Sequence, residues 1–223
     1  MKIIPHASPN FTERRGAGRP HMVVLHYTAM DSAAAALERL CTSEFQVSAH
    51  YLIDQSGQVF EMVHPDMRAW HAGQSFWAGE HDINSVSIGI ELCNQGVHPY
   101  PFAQMEALQS VLANLCAQYD IDPRQVWGHS DVAMGRKTDP GRRFDWRGLW
   151  WAGFGLWPRA AAPIASLNEN QFMENAARIG YDHAAGLDAV LAAVRLHFAP
   201  MRTGPLDAVD CTLVHDLATQ ING

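Results

Sequence analysis

Short apolar runs alternate with helical spacings along the first two thirds of the chain, and only helical spacing continues after that. Met22-Val23-Val24-Leu25-His26-Tyr27-Thr28 is a short, largely apolar run and predicts a buried strand. Asp31 and Ser32 offer N-cap oxygens to an alanine- and leucine-rich helix ending near Cys41. Ala49 to Asp54 and Val59 to Val63 flank Gln55-Ser56-Gly57-Gln58, a hairpin signature. Val86 to Leu92 predicts a further strand. Pro101 to Tyr119 carries Phe102, Met105, Leu108, Val111, Leu112 and Leu115 at helical spacing, with the proline in the first turn. Val126-Trp127-Gly128 is a brief strand leading into His129, and residues 1–21 read as an extended polar lead-in.

The pattern changes after Trp157-Pro158. Arg159-Ala160-Ala161-Ala162-Pro163 reads as a linker. Three helical stretches follow, at about 168–179, 184–197 and 206–220, with no strand signal. This places a boundary near residue 160, between a mixed α/β unit (1–160) and a small three-helix unit (161–223).

Composition narrows the function classes. The chain has 223 residues, with 16 basic against 23 acidic side chains and a net charge of -7. That balance argues against a nucleic-acid binder that depends on phosphate contacts, and against adhesion to anionic membranes. Seven tryptophans and nine phenylalanines supply ample core and argue against disorder. The four cysteines, at 41, 93, 116 and 211, form no CxxC pair and read as small buried hydrophobes of a reducing compartment. The first residues lack an apolar leader core, and no apolar run approaches the roughly 18 residues of a membrane span. The expected compartment is the cytoplasm, with the periplasm as the alternative if a leader has been removed.

Twelve histidines are the unusual count. His26 ends an apolar strand, where a side chain is held rigidly. His129 follows a strand and a glycine, and ten residues later Asp139 enters a Pro-Gly turn. Two histidines and one carboxylate give zinc three protein ligands and leave a position for water, as metal-assisted hydrolysis requires. Lys137 lies two residues before Asp139, so in extended backbone both point the same way. It is then either a stabiliser of charge on a carbonyl oxygen or a solvated lysine. Glu91 is either a base in a pocket or a strand-end carboxylate in water or an ion pair. Gly89 beside it allows close approach of backbone or ligand. The aromatic run from Trp150 to Trp157 either joins the two units or forms an exposed sugar-stacking surface.

Five segments occur in an order that resembles a known family: Val24 to Ala29, Val47 to Ile53, Arg68-Ala69-Trp70-His71-Ala72-Gly73, Asn84 to Glu91, and Gly128-His129-Ser130-Asp131 through Lys137-Thr138-Asp139-Pro140-Gly141. Together they resemble the zinc N-acetylmuramoyl-L-alanine amidases of the type-2 amidase family, similar in fold to peptidoglycan recognition proteins, over about residues 20–150. The resemblance implies an α/β fold: a central mixed β-sheet flanked by helices, here followed by the small three-helix domain. It implies His26, His129 and Asp139 as ligands of one zinc ion, Glu91 as catalytic carboxylate and Lys137 as transition-state stabiliser. It puts His50, Trp70, His71 and Asn84 in motifs that line or support the groove, hence expected substrate-binding residues. The reaction implied is hydrolysis of the bond between N-acetylmuramic acid and L-alanine in muropeptides or peptidoglycan, in recycling or wall turnover. The alternatives are a non-catalytic peptidoglycan sensor on the same fold and a peptidase cutting within the stem. The helical region is similar, more weakly, to peptidoglycan-binding modules, through Gly180-Tyr181, Ala193-Val194-Arg195 and Phe198.

Overall fold

The computed structural model describes residues 2–16, 18–159 and 168–222. The predicted boundary at 160 and most of the predicted linker lie outside the described residues. In chain order the elements are β1 (Ile3–Pro5), β2 (Phe11–Glu13), β3 (Met22–Tyr27), α1 (Ala33–Cys41), β4 (Tyr51–Ile53), β5 (Val59–Glu61), β6 (Met67–Ala69), α2 (Ile83–Val86), β7 (Ser87–Leu92), α3 (Phe102–Tyr119), β8 (Val126–Gly128), α4 (His129–Val132), α5 (Trp146–Trp151), α6 (Glu169–Ile179), α7 (Leu187–Phe198) and α8 (Ala208–Asn222). The Ser32 hydroxyl caps α1 by accepting from the Ala35 N–H at 3.1 Å.

Six strands form a mixed sheet in the order β1-β5-β4-β7-β3-β8. β3 lies parallel to both β7 and β8, and β4 is parallel to β7 but antiparallel to β5. The lead-in is not merely extended. β1 adds to the sheet edge beside β5, with Ile3 opposite Val59, and β2 pairs with β6 in a small separate ladder.

Side chains alternate across a strand, so each strand feeds two layers. Val23, Leu25, Ile88, Ile90 and Leu92 face α3 and the aromatic segment around Phe144 and Trp146. Met22, Val24 and Trp127 point the other way, into a cluster with Phe172, Tyr181, Val190, Val194 and Leu217 of the helical unit. Leu52 packs under α1 with Leu37 and Leu40. The helical unit therefore shares one core with the sheet across residue 160. The aromatic run divides: Leu156 is buried and Trp157 packs near Phe198, while Trp151 is 68% exposed beneath the Arg147 guanidinium. No helix among the described residues is long and apolar enough to cross a membrane.

The residues that carried the similarity of the helical region to wall-binding modules are occupied internally. A side chain at Gly180 would meet the Trp77 ring at 2.6 Å, Tyr181 is buried, and Arg195 is paired with buried Asp210 at 2.5 Å.

Candidate active site and metal centre

His26 shares the face of Met22 and Val24, and on the neighbouring strand Glu91 is its register partner. β7 sends Ile88, Ile90 and Leu92 into the core and leaves Ser87, Gly89 and Glu91 for the other face. That face therefore has small or polar residues just where the His71 ring lies over it. A Cβ on Gly89 would meet that ring at 2.5 Å, so the close approach requires glycine.

Three ligand-type atoms converge here. His26 Nδ1 and His129 Nδ1 are 3.0 Å apart, and Asp139 Oδ2 is 3.0 Å from each. All three residues are buried, and together they form a group able to hold a metal ion. His129 opens α4, and the Ser130 N–H donates to the Asp139 carbonyl at 2.9 Å, so the segments bearing the two loop-borne ligand candidates hold each other.

The protons on the histidines follow from their outer partners. The Ser87 hydroxyl donates to the Ile83 carbonyl at 2.6 Å, so its oxygen accepts from His71 Nε2–H at 3.2 Å. His71 Nδ1 then accepts from His26 Nε2–H at 3.0 Å. His129 Nε2–H donates to the Ala72 carbonyl at 3.0 Å. Both inner Nδ1 atoms are thus lone pairs, and with the carboxylate oxygen they face one another without a hydrogen between them. Burial, and next the neighbouring His129, push His26 down to about 4 against the opposing pull of Asp139, so it stays neutral. Such a set repels itself unless a cation sits among it, and two imidazoles with one carboxylate suit zinc.

A cavity of about 420 Å³ opens on this group. Its wall includes Glu91, Lys137, Trp70, His71, Tyr27, Arg136 and Arg39. One Glu91 oxygen, Oε2, is buried without a hydrogen-bond partner. Burial, and next the Asp139 carboxylate, push Glu91 up to about 8 against the pull of Lys137. Lys137 reaches the wall from a turn, not from the expected extended backbone: the Arg136 and Lys137 N–H groups both donate to the Ala133 carbonyl, at 3.1 and 3.0 Å.

The four expected groove residues separate. Trp70 and His71 line the cavity, with both His71 nitrogens engaged by His26 and Ser87. His50 and Asn84 are withdrawn from the wall. His50 is fully buried, its Nδ1 accepting from the Gly89 N–H at 2.9 Å and its Nε2–H donating to the Met67 carbonyl at 3.0 Å. Asn84 Oδ1 accepts from the His71 and Ala72 N–H groups at 3.0 and 2.8 Å, shaping the loop that supports both histidine ligand candidates. His50 thus spends both ring nitrogens, and Asn84 its Oδ1, on the protein's own backbone.

Sequence reasoning missed Arg136 and Asp131. Arg136 donates to the Ala72 and Gln74 carbonyls at 2.6 and 2.5 Å. It stands beside Lys137 in the quoted motif, but only the fold shows that it closes the cavity over the carbonyl that orients His129.

Residues 16–142 match the family model described as N-acetylmuramoyl-L-alanine amidase. Across 85% of this chain and 79% of the relative, the sequence is 34% identical to the N-acetylmuramoyl-L-alanine amidase AmiD of Escherichia coli. It is 46% identical to the 1,6-anhydro-N-acetylmuramyl-L-alanine amidase AmpD of Enterobacter cloacae over 45% of this chain and 54% of that protein. Among solved structures, AmiD of E. coli in complex with anhydro-N-acetylmuramic acid-L-Ala-D-gamma-Glu-L-Lys superposes with a TM-score of 0.82 at 31% identity, over 95% of this chain and 98% of that one. AmpDh3 of Pseudomonas aeruginosa in complex with anhydromuramic pentapeptide gives 0.83 at 32% identity, over 92% and 94%. By fold, by convergent ligand atoms and by these likenesses, the chain belongs to the N-acetylmuramoyl-L-alanine amidase family.

Proposed function

We propose that this protein is a zinc enzyme that hydrolyses the amide between the lactyl group of N-acetylmuramic acid and the L-alanine of the stem peptide, acting on anhydro-muropeptides. The observation that carries the chemistry is the trio of facing lone pairs on His26, His129 and Asp139, with the unpartnered Glu91 oxygen in the same cavity. The whole-chain likeness to AmiD bound to an anhydro-muropeptide supports the substrate.

Zinc held by His26, His129 and Asp139 supplies Lewis-acid chemistry, acidifying a water and polarising the amide carbonyl. Glu91 takes a proton from the attacking water and delivers it to the leaving amine. Its raised proton affinity suits the second task, and a cation nearby draws it down toward the first. Lys137, in the same wall, meets the negative charge that gathers on the carbonyl oxygen. Trp70 offers a ring face for the sugar or the lactyl group. Hydrolysis by this route needs no covalent intermediate, so no serine or cysteine acts as nucleophile.

The four cysteines are free thiols, which supports a reducing compartment and hence the cytoplasm. One digest tests the reaction and its setting. Zinc-loaded protein is incubated with 1,6-anhydro-muropeptides and, separately, with intact sacculi, and products are read by mass spectrometry. Free peptides beginning with L-alanine, released faster from the anhydro substrate, are expected. Binding without peptide release makes the protein a sensor, cuts within the stem make it a peptidase, and preference for sacculi places it at the wall.

A further inference from the structure

The helical unit reaches the metal centre through one buried carboxylate. Asp131 lies two residues after His129 and has 0% exposure. Its Oδ2 accepts from the Gly128 N–H at 2.7 Å, gripping the Trp127–Gly128 peptide group one residue ahead of His129. The same oxygen accepts from His197 Nδ1–H of α7 at 2.7 Å. Its other oxygen accepts from the Tyr181 hydroxyl at 2.8 Å, in the connection between α6 and α7.

Both distant donors are themselves fixed. The His197 ring stacks on Trp146 at 3.7 Å, and the Tyr181 ring packs edge-on against Trp77 at 4.9 Å. Gly128 leaves no slack: a Cβ there would meet Pro140 at 2.8 Å and Asp131 Oδ2 at 3.2 Å. A shift of Asp131 is therefore passed to the His129 backbone and to the proline that follows Asp139.

We infer that Tyr181 and His197 are positioning residues for the metal centre: through Asp131 they set the placement of His129, so the helical unit is a working part of the hydrolytic site. The reasoning is electrostatic as well as steric. A buried carboxylate with three donors stays where they hold it, and one short of a donor turns toward any other donor or toward water. Groups that orient a metal ligand from behind typically change metal affinity by about 10–100-fold when removed. This inference rests on His129 being a metal ligand.

The test uses full-length protein and four variants. Tyr181→Phe keeps the ring against Trp77 and removes only the hydroxyl. His197→Phe keeps an aromatic ring on Trp146 and removes the donor. Leu217→Ala opens the core of the helical unit without touching Asp131, and is the control for destabilisation alone. His129→Ala tests the ligand assignment. Zinc affinity is measured by chelator competition, and the visible spectrum of the cobalt-substituted protein reports ligand geometry.

The expected result is zinc binding weakened about tenfold or more, with an altered cobalt spectrum, in Tyr181→Phe and His197→Phe. Leu217→Ala should lower thermal stability and leave both readouts at wild-type values. The inference is overturned if the two donor variants bind zinc within twofold of wild type with an unchanged spectrum, or if Leu217→Ala shifts both readouts equally. If His129→Ala keeps full zinc, the ligand assignment itself fails, which is a separate result.

Discussion

His26 stands on a strand with paired neighbours along both edges, whereas His129 opens a four-residue helix in a loop. The first is held by the ladder and by a relay of side chains within the sheet layer, through His71 and Ser87. The second is held by the Ala72 carbonyl, by the Asp139 segment and by Asp131 with its partners from the far end of the chain. A strand preorganises a ligand through its own backbone. A loop must borrow rigidity, and here it borrows from residues 50 and 66 positions away from Asp131.

The largest effect that bears on this comparison is chemical. Glu91→Gln should keep zinc and lower turnover by about 10²–10⁴-fold, since it removes proton transfer and leaves both ligand supports intact. Near-wild-type turnover with metal content verified would remove Glu91 from the reaction. Next comes the strand side. His71→Phe deprives His26 Nε2–H of its acceptor and should weaken zinc by about 10–100-fold in a chelator titration. If it has no effect while the Asp131 partners do, the ladder alone fixes His26, and the contrast between the two supports becomes sharper.

A smaller effect concerns His50, whose ring lies 5.7 Å from that of His71 and accepts from the Gly89 N–H. Burial, and next the Arg14 guanidinium, push its pKa down to about 3, so it is neutral in the fold. In the unfolded chain it takes a proton near pH 6.5. Its contribution to stability is therefore complete above about pH 6.5 and falls by about 1.4 kcal/mol per pH unit as the pH drops toward its folded value. Urea unfolding of wild type and His50→Gln across pH 7 to 4 should show the shallower slope in the variant. Identical slopes would mean that His50 does not resist protonation. The smallest effect belongs to Trp151, which is 68% exposed beneath the Arg147 guanidinium. Trp151→Ser should stay within about 0.5 kcal/mol of wild type in the same assay.

How much of this was legible depended on the range of the interaction. β3, α1, the β4–β5 hairpin, β7, α3 and the three late helices announce themselves through local periodicity and caps. β1, β2 and β6 have three residues each and owe their existence to partners elsewhere, as with Ile3 beside Val59, so no local pattern marks them. His26 and His129 are 103 residues apart, so no local pattern joins them; the donor chemistry suggests the set and the ordered motifs single it out. For His50 and Asn84 the same motifs left lining and supporting roles open, because a motif gives neighbourhood but not which atoms a side chain spends on the fold. Asp131 lay in view within Gly-His-Ser-Asp, yet its partners Tyr181 and His197 belong to a region whose helical spacing says only that it packs.

The position of His197 late in the chain also orders events in synthesis. A ribosome releases His26, His129 and Asp139 first, and α7 only afterwards. A chain cut short before α7 carries the candidate ligands His26, His129 and Asp139 but lacks one of the donors that steady Asp131. By the inference drawn above, such a shortened chain should hold zinc more weakly than the longer one, because the contact from His197 to Asp131 is missing.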